Sequence, residues 1–209
     1  KRITQRRDLM DMRSTSHLLV YGEGCRKAFE SSILSRQCKI KSIGSIKLDD
    51  ISAKKIKSNR DRKRVLYVIT NYYENAWYCG FTPPFNDIKY YIEQCNIVFG
   101  LIKIIENTNK AEMTIQLHPG ANLHGKDPPW VDELENKKNI HLNREGNFVK
   151  MLDKHDVVIV DCLTTTLLEA ISTKLPVFAL TSIISPPLHE LTILEERVTR
   201  LVCQDWRLA

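Results

Sequence analysis

Residues 156–180 read DVVIVDCLTTTLLEAISTKLPVFAL. From Val157 the chain is apolar until Asp161 closes the run, which suits a strand buried on both faces rather than one with a wet side. The segment TTTLLEAISTK that follows has the composition of a short helix, and after Leu175 a second apolar run, PVFALT (176–181), reads as another strand. Strand, helix and strand in such close succession form a crossover unit, the device that joins parallel strands.

The same alternation extends outward. RVLYVIT (64–70) is β-branched and apolar and predicts a strand. In FNDIKYYIEQCNIVFGLIKIIENT, residues Ile88, Tyr91, Ile92, Cys95, Val98, Phe99 and Ile102 recur at steps of three and four, predicting a helix. MTIQLHPG (113–120) predicts a strand ending in His-Pro-Gly, 121–139 a polar loop, NIHLNRE (139–145) a strand and NFVKMLDKH (147–155) a helix. LHELTILEERVTRLVCQ (188–204) has helical spacing. Upstream, HLLVYGEGCRKAFE reads as strand, glycine turn and helix, and KIKSIG as a strand closed by a turn. The expected fold is α/β: a Rossmann-like, doubly wound parallel sheet over 64–209, preceded by a separate piece, 1–52, and a basic linker, 53–63.

Composition narrows the function. The chain has 209 residues, 43% of them hydrophobic, enough to bury a sizeable core. No apolar stretch approaches the roughly 20 residues that span a bilayer, and KRITQRRDLMDMR at the start lacks the apolar centre of a signal peptide. The six cysteines are scattered without a CxxC pair, which argues against a metal or disulfide framework and for a reducing, cytoplasmic setting. The net charge of +6 is concentrated at the start and in KKIKSNRDRKR (54–64). Such a block reads as a solvated linker or as a patch for an anionic partner, including the inner face of a membrane. No nucleic-acid motif accompanies it, so nucleic acid is not an expected partner.

Thr164, Thr165 and Thr166 stand where the strand gives way to the helix. In doubly wound sheets ligands bind beyond the carboxyl ends of the strands, and the free amides and dipole of the next helix favour an anion such as phosphate. Three adjacent hydroxyls there can donate to phosphate oxygens. The competing reading is local: Thr166-Leu167-Leu168-Glu169 fits the T-x-x-E capping box, in which the two end residues satisfy each other's backbone amides.

LTTTLLEAISTKLPVFAL resembles the nucleotide-sugar-binding motif of GT-B glycosyltransferases, although many of those have glycine in the turn. The resemblance implies that Thr164–Thr166 hold a diphosphate and that Glu169 hydrogen-bonds the donor's ribose. QLHPG (116–120) resembles the K-x-H-P type segment of capsule-polysaccharide and teichoic-acid transferases, implying that His118, followed by Pro119, faces the cleft. KIKSIGSIKLDD (39–50) is similar to a G-S-P-x-x-D segment that ends the acceptor half, with Ile46 where proline is usual. By this resemblance, 1–52 would be a remnant of the acceptor domain.

Other candidates follow from position. Thr70 and Asn71 end the first strand of the large domain, ahead of the aromatic loop NYYENAWYCGFTPP, whose Trp77 or Tyr78 can stack on a base or pack the core. The GT-B resemblance implies that Asn143 to Asn147 would frame the nucleotide base. Asp161 is expected to hydrogen-bond the threonine loop, and one carboxylate makes no metal site. His155 has no supporting pattern. No catalytic base is apparent. The expected reaction is transfer of a sugar from a nucleotide-sugar co-substrate to a glycan or lipid-linked acceptor, with no cofactor or metal. A CDP-alcohol donor, as in a CDP-glycerol-type glycerophosphotransferase, is the alternative, and a non-catalytic binding module a third reading. A nucleotide-sugar 2-epimerase would need cleft carboxylates that the sequence does not reveal.

Overall fold

The computed structural model describes residues 15–31, 33–52, 61–70, 88–117, 129–134, 136–145, 147–161, 163–181 and 194–201. The chain divides into two compact units, 1–50 and 51–209.

The first unit contains strand β1 (His17–Val20), helix α1 (Glu23–Glu30) and strand β2 (Lys39–Ser42), with β1 and β2 parallel from His17↔Lys39 to Val20↔Ser42. The strand–turn–helix reading of HLLVYGEGCRKAFE therefore holds, and Arg26 ties α1 along its surface by pairing with Glu23 and Glu30. Past β2 the sequence reading stopped at a turn, but a helix, α2 (Ile46–Ser52), follows. Gly44 at φ 77° makes the left-handed bend. Ser45 Oγ then accepts from the Leu48 amide at 3.4 Å, capping the helix. Ile46 thus occupies the first helical position, where proline is favoured because its missing N–H has no helical partner.

In the second unit the strands are β3 (Lys63–Val68), β4 (Ala111–Gln116), β5 (Ile140–Asn143), β6 (Val157–Val160), β7 (Val177–Leu180) and β8 (Thr199–Leu201). They form one six-stranded, all-parallel sheet in the order β5-β4-β3-β6-β7-β8. The helices are α3 (Ile88–Thr108), α4 (Phe148–Leu152) and α5 (Thr165–Ile171). The chain starts at the middle of the sheet, runs outward through β4 and β5, then returns to the other side of β3 for β6, β7 and β8. That is the doubly wound order, and its reversal falls between β3 and β6.

Both faces are covered, as parallel strands require. One face sets Tyr67, Ile69, Met113, Ile115 and Ile159 against Ile97, Val98, Leu101, Ile102 and Ile105 of α3. Leu66, Val158, Val160 and Ala179 of the strands are also buried, and α5 packs on β6, β7 and α4. At the amino ends of the strands, Asp156 accepts from the Arg64 amide at 2.8 Å. His155 there is a buried brace, with Nδ1 2.6 Å from Met151 O and Nε2 3.0 Å from Thr114 Oγ1.

One expectation needs correction, and one helix face is defined only by its packing. The inner face of α3 is built on Gln94, Ile97, Val98, Leu101, Ile102 and Ile105, while Ile88, Ile92 and Phe99 are exposed. The helix is apolar nearly all round, so its spacing identified a helix without choosing the face that docks. Within 188–204 the described residues include a strand, β8, paired with β7 from Phe178↔Thr199 to Leu180↔Leu201, where the spacing had suggested helix. Among the described residues of that stretch, only Leu194 and Glu195 are helical, and sheet pairing outweighs local preference beyond Val198.

Candidate functional site: the switch point between β3 and β6

The carboxyl ends of β3 and β6 flank the point where the winding reverses, and Asp161 bridges them. Its register follows Ile159, so its side chain lies on the face shared with Tyr67 and α3. Thr70 donates to it twice: the amide to Oδ1 at 2.9 Å and Oδ2 at 3.1 Å, and the hydroxyl to Oδ1 at 2.7 Å. The Tyr67 hydroxyl donates to Oδ2 at 3.2 Å. Behind them Gln94 Nε2 donates to the Thr70 carbonyl at 2.6 Å, so α3 holds the same strand end. Asp161 therefore grips the end of β3, where the sequence reading had it holding the threonine loop. The cause is the strand pleat, which turns its side chain toward the neighbouring strand. Burial pushes its carboxyl up to about 6, and the Thr70 and Tyr67 hydrogen bonds oppose that rise.

Past Asp161, Thr164 is the N-cap of α5, at φ −113° and ψ −166°, yet its side chain makes no capping bond. Its Oγ1 lies 2.9 Å from Thr166 Oγ1. Thr166 is inside the helix, so the T-x-x-E capping box starting at Thr166 does not form. Thr164 and Thr165 are exposed and Thr166 is half-buried. The three hydroxyls are thus available at a helix start, where the first amides also lack helical partners. Glu169 is buried beside Leu167 and Ala170 on α5, at 7% exposure.

At the ends of β4 and β5 an amide pair fixes the turn that was expected to frame a base. Asn143 Nδ2 donates to Gln116 Oε1 at 2.6 Å, and Asn143 Oδ1 accepts from the Glu145 amide at 3.0 Å. Gln116 Nε2 in turn lies 3.0 Å from the carbonyls of Leu117 and Glu145. Both side chains are engaged in shaping the turn. Thr181, just past β7, is 3% exposed, and its hydroxyl has no hydrogen-bond partner among the described residues.

The switch point thus brings Thr70 to Asp161, with Thr164–Thr166 following in the chain. Asn71, His118, Pro119, Trp77, Tyr78 and the basic run 53–60 lie outside the described residues. Sequence reasoning missed Tyr67, Gln94, Gln116 and Thr181. The two glutamines carried a signal, since each interrupts an otherwise apolar face. Among the described residues no group of three His, Cys, Asp or Glu side chains is placed to hold a metal, and no helix is long and apolar enough to cross a membrane.

A six-stranded parallel sheet wound in this order defines a Rossmann-like α/β fold, and solved structures share it over about half of a GT-B-type chain. UDP-GlcNAc 2-epimerase from Methanocaldococcus jannaschii, in complex with UDP-GlcNAc and UDP, superposes with a TM-score of 0.58 at 18% identity, covering 90% of this chain and 50% of that one. A second structure of that enzyme gives 0.55 at 16% identity, over 90% and 51%. Thermosulfurimonas dismutans KpsC, a beta Kdo 2,4 transferase, matches more loosely, at 0.40 and 14% identity over 64% and 42%. The chain spans about half the length of the epimerase it matches. At these identities what is shared is the fold. No family model matches the sequence, and comparison with curated proteins finds no match either.

Proposed function

We propose that residues 64–209 are the nucleotide-sugar-binding domain of a glycosyltransferase building a surface polysaccharide, with 1–52 belonging to its acceptor side and 53–63 joining them. The observation that carries this reading is the group of accessible hydroxyls at Thr164–Thr166, at a helix start beside the switch point. Helix-start amides and hydroxyls can take a diphosphate and stabilise the charge that develops on it as the glycosidic bond to the donor breaks. In this reading an acceptor hydroxyl attacks the anomeric carbon and the nucleoside diphosphate departs. His118, ahead of Pro119, adds a donor to the diphosphate, and Asn71 and the 143–147 turn meet the nucleoside. Glu169, being buried, reaches the ribose only if the chain around it opens. The basic segment 53–63 suits approach to an anionic membrane face or a polyanionic acceptor.

The epimerase shares the fold and, in its solved complex, holds UDP-GlcNAc and UDP, which supports a nucleotide-sugar ligand without selecting a reaction. Epimerisation at the sugar would need carboxylates open to the cleft, and both carboxylates of 161–169 are buried. A CDP-glycerol-type transferase uses the same phosphate site and differs in the bond broken. Incubation with UDP-sugars and with CDP-glycerol, following UDP and CMP release, separates them. UDP release from a UDP-sugar is expected; CMP release alone would replace the sugar donor with a phosphoalcohol one. Nucleotide binding without release of either would leave a binding module.

A further inference from the structure

The bridge across the switch point is costlier than the geometry alone needs. An asparagine at 161 would keep the same three contacts: its oxygen could accept both Thr70 bonds and its amide could donate to the Tyr67 oxygen. A carboxylate instead brings a charge into a site at 4% exposure, a cost that structural bracing does not require. What the charge adds is grip, because donors bind an ionised acceptor more strongly than a neutral one. The gripped residue, Thr70, is where β3 ends, and Asp161 is where β6 gives way to the threonines, so one side chain ties together the two chain exits that flank the ligand crevice.

We propose that Asp161 is a positioning residue for the nucleotide site: in its ionised form it holds the end of β3 against the β6–α5 junction, and nucleotide affinity falls when that hold is released by protonation. This rests on the nucleotide-binding reading above. A proton on Oδ2 turns the Tyr67 contact round, the carboxyl donating to the phenol oxygen, and leaves Thr70 bound to a neutral acceptor, which is a weaker hold. The groups facing Asp161 are Tyr67 and Thr70 from β3 and, through Thr70, Gln94 from α3; on β7 the next residues in register are Leu180 and Thr181. Of these described residues only the Tyr67 phenol is titratable and none is charged, so a titration that Asp161→Asn abolishes belongs to Asp161.

The test is calorimetric titration of the chain with UDP-GlcNAc, a diphosphate diester with no group titrating near neutrality, at a series of pH values. CDP-glycerol serves as a second probe. The wild type is expected to lose about tenfold in affinity on acidification through pH 6, as for one hydrogen bond to a charged group. Asp161→Asn should remove that dependence. Tyr67→Phe, which takes away a donor that favours the carboxylate, should move the midpoint to higher pH, a shift that a purely structural role would not produce. In parallel, the Thr70 amide resonance should titrate with the same midpoint without ligand, and stay still in Asp161→Asn. Equal pH profiles in wild type and Asp161→Asn would overturn the proposal, as would a Thr70 titration with no change in affinity. A gain in affinity on acidification that is absent in Asp161→Asn would also overturn it, marking the carboxylate as a charge that repels the diphosphate. If the wild type binds neither probe while Thr70 still titrates, the nucleotide-site reading fails and this role falls with it.

Discussion

At Asp161 function and stability pull in opposite directions. A carboxyl held at about 6 against an ordinary 3.8 binds its proton more tightly folded than unfolded. Between those two values the folded state carries the extra proton, so stability is greatest below about pH 4, is lost as pH rises to about 6, and is flat above. The shift corresponds to about 3 kcal/mol. Urea unfolding should therefore show Asp161→Asn gaining about that much on wild type between pH 4 and pH 7.5, and a constant difference across the range would refute the assignment. The threonines make a second expectation at this scale: Thr165→Val and Thr166→Val should each weaken nucleotide binding about tenfold or more, as for one hydrogen bond to a charged group, while unfolding midpoints move little. Much of this was visible in the sequence, since three hydroxyls after an apolar run announce themselves. The partner of Asp161 was not. Which neighbour a strand-end side chain meets depends on strand order, and one strand's own residues do not contain it.

The α3 helix shows where pattern stops informing. Residues 88–108 were recognisable as helix because apolar residues recur at helical steps, yet several faces satisfy that rule. Ile97 and Val98 are almost wholly buried, whereas Ile92 is 52% exposed. Ile97→Ala should accordingly cost about 2–5 kcal/mol, and Ile92→Ala no more than about 0.5 kcal/mol, in chemical unfolding. The reverse ranking would mean that α3 docks by the face that carries Ile92. Strand β8 makes the complementary point: its residues show helical spacing, and pairing with β7 decides otherwise. Helix α2 escaped notice because its signals, Gly44 bending and Ser45 capping, sit in a segment too short for periodicity to register.

At the level of the whole molecule, alternating apolar strands and helices predicted a doubly wound parallel sheet, and the sheet has that form. Its strand order lay beyond the sequence reading, and the order is what puts β3 beside β6 and so locates the crevice. Loss of the Gln116–Asn143 pair should be felt at the sheet's other end: Gln116→Leu strands the Asn143 amide and the carbonyls it served, costing about 1–3 kcal/mol in unfolding. The same change should weaken nucleotide binding if the 143–147 turn frames the base. The central claim is that a diphosphate sits on the α5 start beside the switch point. Crystals of the chain soaked with UDP or CDP test it most directly. The account predicts diphosphate oxygens within hydrogen-bond reach of the Thr164–Thr166 hydroxyls and the first amides of α5; a nucleotide bound elsewhere on the chain, with those hydroxyls left facing solvent, would contradict it.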